Sequence, residues 1–282
     1  MNTPNIQSGR VLLICLLVVG IGLTTGCRQS DPPPSDRNGS VSPSIDAPSA
    51  LQQAWEAHGG LEAWSRQRQL QYTFEQRRGG TTARDHQLID LDTRKVRIEG
   101  NEFVLGFDGE HAWVAPSLEA FPYGSSPRFY TSTYFYFFAM PFVLADPGAI
   151  ATDVGTATVE GTTYNVTEIR YEEGVGDSPD DVYVVYTDAD THELGLVRFS
   201  VTYGDRPPSE PNTALVYTAT ATESGITLPV AGRYHSWNDE SLGEPLGPEF
   251  RLTDVRFKTN TPNPGLFDMP EEAEIDSLPE SN

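Results

Sequence analysis

Cysteine is nearly absent from this 282-residue chain: Cys15 and Cys27 are its only two. A disulfide framework is therefore excluded as the source of stability, and the fold must rest on its apolar core. Cations are scarce too, with 19 Lys and Arg against 40 Asp and Glu, a formal net charge of −21. Such a surface repels nucleic acid and is not drawn to an anionic membrane face. Catalytic signatures are also missing. No Gly-x-Ser-x-Gly elbow and no glycine-rich phosphate loop occurs. The five histidines, His58, His86, His111, His192 and His235, form no helical i, i+4 pair and have no cysteine to join them in a zinc site. These absences leave no nominated catalytic residue, metal or cofactor.

One long aliphatic run opens the chain. Val11 to Leu23 has the length of a signal-peptide core and is short for a bilayer span. It ends in Leu23-Thr24-Thr25-Gly26-Cys27, which resembles the bacterial lipobox, although Thr24 stands where that motif usually has leucine. The expectation is a signal over residues 1–26 and lipidation of Cys27; an ordinary cleaved signal and an uncleaved anchor are the competing readings. Arg28 is not the aspartate that favours inner-membrane retention in enteric bacteria, so the expected location is the cell envelope, anchored by lipid to the outer membrane. Residues 27–50 are rich in Pro, Ser, Asp and Asn and read as a disordered tether.

Residues 51–282 read as one domain, mainly β within the α+β class. Ser49-Ala50-Leu51-Gln52 has the form of a capping box and opens a helix carrying Leu51, Trp55 and His58 on one face, stopped by Gly59-Gly60. A short helix follows from Leu61 past Trp64. Period-two alternation then marks strands near residues 71–75, 86–98, 103–107, 111–115, 163–171, 181–187, 194–203, 214–222, 226–237 and 250–258. Short turns between many of them predict an antiparallel meander. The exception is 129–144, aromatic nearly all round and ending at Asp146-Pro147-Gly148. A helix apolar on every side is surrounded by protein or lipid. This one can either fill the core or line a greasy cavity, and the sequence does not separate the two.

Three segments carry a resemblance: Ala57-His58-Gly59-Gly60-Leu61-Glu62-Ala63-Trp64, Met140-Pro141-Phe142-Val143-Leu144-Ala145-Asp146-Pro147-Gly148, and Gly174-Val175-Gly176-Asp177-Ser178-Pro179-Asp180-Asp181. Together they resemble DUF6503, a family of uncharacterised exported bacterial proteins. Tyr183 to Asp188, with Thr191 and the strand beyond it, is similar to the central hairpin of the lipoprotein-carrier fold of LolA and LolB. That resemblance implies an open antiparallel half-barrel with helices over its concave face, enclosing an apolar cavity for acyl chains. The residues expected to line it are Phe135, Phe138, Met140, Phe142 and Leu144 from the aromatic segment, with Tyr72, Phe74 and Trp113 from early strands.

Three functions follow as expectations. The first is a monomeric, membrane-tethered protein sheltering a lipid or acyl chain, in which Phe138→Asp empties the cavity without unfolding the domain. The second is an envelope interaction module with a filled core, and the third a hydrolase using carboxylates. Glu172, Glu173, Asp177, Asp180 and Asp181 crowd one loop, where a weak calcium site is conceivable but solvated turns are the ordinary reading in so acidic a chain. His58 reads as a helix C-terminal cap.

Overall fold

The computed structural model describes residues 45–78, 81–204, 206–238 and 241–277. The expected signal, Cys27 and most of the tether lie outside these residues. Ser40–Asn282 form one compact unit. Packing begins before residue 51: Ala47 and Ala50 are buried, and Ile45 rests on the main core.

Helix α1 spans Ser49–Ala57 and α2 spans Leu61–Ser65. The capping box does not form. Pro48 occupies the N-cap position without a side-chain bond, and the Gln52 amide donates to the Ala47 carbonyl at 2.7 Å. Pro48 presents its carbonyl to both Leu51 N and Gln52 N, which places Ser49 inside the first turn. Gly59, with φ of 109°, stops α1 as expected. A Cβ there would lie 2.1 Å from the Gly225 carbonyl oxygen, so close approach as well as conformation requires glycine.

The strands are β1 (Gln69–Arg78), β2 (Thr81–Asp90), β3 (Val96–Glu99), β4 (Val104–Phe107) and β5 (Ala112–Ala115). Helix α3 (Pro127–Phe138) follows. Then come β6 (Ala149–Val159), β7 (Thr162–Tyr171), β8 (Tyr183–Asp188), β9 (Leu194–Phe199), β10 (Thr213–Glu223), β11 (Ile226–Asn238), β12 (Ser241–Pro245), β13 (Phe250–Lys258) and β14 (Glu274–Asp276). The strand expected over 86–98 is two. The Asp90 carboxylate accepts from Asp92 N at 2.9 Å and Thr93 N at 3.3 Å, folding the chain back before Val96. Strand β6 was not expected, because most of its residues are exposed and it lacks apolar alternation.

All pairings are antiparallel, in the order β14-β5-β4-β3-β2-β1-β13-β11-β10-β9-β8-β7-β6, with β12 on β11. The expected meander is thus two meanders, β1–β5 and β6–β11, joined through α3. Strand β13 returns from late in the chain to sit between β1 and β11. The sheet is open, ending at β14 and β6. Because α3 touches β3, β4, β5 and β11, which lie in both halves, the sheet must curve around it.

Candidate functional site

Helix α3 begins where Ser126 caps Phe129 N and Pro127 takes the first turn, where its missing N–H costs nothing. Its helical hydrogen bonding ends before Pro141, earlier than the aromatic run, and Phe142–Ala145 form a 3-10 turn. The buried rings interlock with the sheet. Tyr134 lies 4.0 Å from Phe74 between centroids, Phe137 lies 4.8 Å from Phe199, and Phe138 meets Phe250 edge-on at 5.3 Å and Tyr72 at 6.5 Å. Phe142 stacks on Trp64 at 4.8 Å. The Trp55 indole donates to the Pro141 carbonyl and the Tyr217 hydroxyl to the Phe137 carbonyl, satisfying acceptors at the helix end.

Of the eight residues expected to line a cavity, the structure brings seven into one cluster: Phe135, Phe138, Met140, Phe142, Leu144, Tyr72 and Phe74. Trp113 is buried outside it. Its neighbour Val114 points into the cluster, so Trp113 faces the other side of β5, where its ring lies over Gly106. All seven are buried in this cluster. The two cavities described in the molecule are lined by other residues.

One feature of this layer is polar. Asp85, nearly inaccessible on the inner face of β2, accepts from the Tyr130 hydroxyl at 2.7 Å, the Tyr123 hydroxyl at 3.0 Å and the Gln87 amide at 2.8 Å. Gln87 in turn accepts from the Tyr72 hydroxyl at 2.8 Å. Burial, then the nearby Asp85 charge, pushes the Tyr72 and Tyr130 phenols far above their ordinary range, so both remain donors. Sequence reasoning passed over Asp85. The available signal was a strand, Arg84 to Leu88, whose alternate positions Asp85 and Gln87 are polar where the inner face should be apolar.

His58 does more than end a helix. Its Nδ1–H donates to the Thr227 carbonyl at 2.8 Å, while Nε2 accepts from Leu194 N at 3.0 Å. Those partners fix the neutral tautomer, and burial holds the imidazole below its ordinary pKa. The ring thereby fastens α1 to β11 and β9.

Two of the five acids in the 172–181 loop are engaged. Asp177 binds the Arg128 guanidinium with two bonds of 2.7 and 3.0 Å, and Asp181 accepts from Thr202 N and its hydroxyl at 2.6 and 2.8 Å. Among the described residues, no three of His, Cys, Asp and Glu stand together in a group able to hold a metal ion.

Residues 125–206 match the family of unknown function DUF6503, a span running from the start of α3 past β9. No curated protein matches the chain. Among solved structures, the chain is similar to a LolA superfamily protein of Nitrosomonas europaea, at 10% identity and a TM-score of 0.44 over 80% of this chain and 98% of the other. A putative outer membrane lipoprotein-sorting domain of Vibrio parahaemolyticus gives 11%, 0.43, 77% and 97%, respectively. A DUF1329 family protein of Desulfovibrio piger gives 13%, 0.43, 74% and 91%. Likeness of this degree brings no function with it.

Proposed function

We propose that this domain is a non-catalytic binding module of the cell envelope, tethered through Cys27, whose core is filled by its own α3 and whose partners are met on the outside. The observation carrying this reading is the packing of the seven cavity candidates: rings from α3 occupy the concave side where a ligand would have to lie. Burial of those rings, at about 25 cal/mol per Å² of apolar surface, makes α3 part of the fold. The outside offers contact surface. Strand β6 is a long edge with Ile150 and Val154 exposed, kinked by a bulge at Gly155 whose amide donates to Asp153.

A second reading is supported by the same cluster. A concave sheet lined by Tyr72, Phe74, Phe199 and Phe250 would suit an acyl chain if α3 gave way to it. Native mass spectrometry on Ser40–Asn282, purified without detergent, decides between them. The expected result is the bare polypeptide mass, unchanged after incubation with phospholipid vesicles. A reproducible added mass that extracts into organic solvent would overturn the filled-core reading and establish an apolar ligand.

A further inference from the structure

The outer face of the sheet carries a second feature, separated from the aromatic core by the sheet itself. Val182, Val184, Tyr186, Leu196, Ala214 and Trp237 form a small apolar cluster there. Beside it, a cleft of about 560 Å³ opens between the 179–182 and 208–211 segments, over β7, β8 and β9. That volume lies within the range of small-molecule sites, on the order of 300–1,000 Å³.

Arg198 lines this cleft. Its guanidinium lies over the Trp237 ring at 4.7 Å and the Tyr186 ring at 5.6 Å, which hold the planar group in place. No ion pair of Arg198 occurs among the described residues; its Nε, like that of Arg233, is buried without a hydrogen-bond partner and is closed to the cleft, so only the terminal nitrogens could serve a ligand there. Of the four acids that line the cleft, Glu168 pairs with Arg170 at 2.7 Å and Asp181 holds Thr202.

We infer that this outer cleft binds a monocarboxylate with an apolar body, its carboxylate on Arg198 and its body against Val182, Val184, Pro208 and Pro211. A planar carboxylate matches the guanidinium fork. Glu168, Asp180, Asp181 and Glu210 also line the cleft and repel any anion, a dianionic phosphate about twice as strongly as a monocarboxylate, so the ligand's apolar body must supply much of the binding. The valines and prolines supply walls for an alkyl or side-chain body. The same chemistry is offered by a free alkyl acid and by a peptide C-terminus. Of the cleft's lining, Tyr171 also packs on the main core and meets Tyr136 of α3 at 6.5 Å, while Arg198, Val182 and Val184 belong to the outer side.

Isothermal titration of Ser40–Asn282 tests it with four probes: decanoate, the peptide acetyl-Ala-Val-Leu with a free carboxylate, the same peptide amidated, and inorganic phosphate. Binding of decanoate or the free-acid peptide is expected, with the amide and phosphate silent; which of the two binds names the source. Arg198→Met, shown to be folded by circular dichroism, should weaken binding about tenfold or more. Ser209→Glu, which adds an exposed negative charge at the rim, should weaken it as well and serves if the arginine variant fails to fold. Silence of both carboxylates at millimolar concentration, equal binding of the amide, or affinity unchanged in the folded variants would overturn the inference.

Discussion

At the scale of single residues, the buried polar groups set the testable behaviour. His58 is held neutral by donating to Thr227 and accepting from Leu194 N, and its folded pKa lies below the ordinary value of about 6.5. The folded state therefore binds fewer protons than the unfolded state in that window. The contribution is fully present above about pH 6.5 and is lost as pH falls through the lowered folded value. Urea midpoints measured between pH 8 and pH 5 should decline more steeply for the parent than for His58→Gln; parallel curves would refute the assignment. Asp85 makes a larger contribution. Asp85→Ala leaves two tyrosine hydroxyls and an amide without their shared acceptor, at a cost on the order of 3 kcal/mol in denaturant unfolding. Phe138 corrects an expectation. Fully buried between Tyr72 and Phe250, it cannot become aspartate without placing a charge in the core, so Phe138→Asp should abolish folding. Phe138→Ala, at about 3–5 kcal/mol, is the informative variant.

At the scale of elements, α3 is secured differently at its two ends. Its last turns are locked by rings and by bonds from Trp55 and Tyr217. Its first turn depends on β14: the Asp276 carboxylate accepts from the Ser126 hydroxyl at 2.6 Å and from Arg128 N at 2.8 Å, while Arg128 reaches Asp177. A strand of three residues at the sheet edge thus caps the central helix. Asp276→Ala should cost about 1–2 kcal/mol. Hydrogen exchange should accelerate at residues 128–131 and remain unchanged at 135–138; uniform acceleration along the helix would show that the two ends do not act separately.

At the scale of the whole molecule, two forces compete. The aromatic core and the long-range pairing of β13 with β1 close the domain, and a net charge of −21 opposes compaction. Screening shortens from about 30 Å at 0.01 M salt to about 3 Å at 1 M. The melting temperature of Ser40–Asn282 should therefore rise on adding potassium chloride, and a flat or falling response would place the stabilising charges in the ion pairs instead.

The sequence by itself determined the local facts. The mainly antiparallel character, most strand positions and the glycine stop of α1 all follow from period-two patterning and from a residue that tolerates positive φ. The aromatic segment was legible as a buried helix because no face of it was polar. Strand β6 was not legible, since an exposed edge needs no alternation of apolar residues. Nor was the failure of the capping box, which Pro48 displaces by one residue. Only tertiary structure could decide the rest. Inserting β13 between β1 and β11 joins residues nearly two hundred positions apart, and no local pattern encodes that pairing. The same holds for His58 between Thr227 and Leu194, and for Asp85 beneath Tyr123 and Tyr130. Above all, an aromatic helix that lines a cavity and one that fills it share the same composition. They differ only in how closely the sheet folds around them, and that is set by packing across the whole domain.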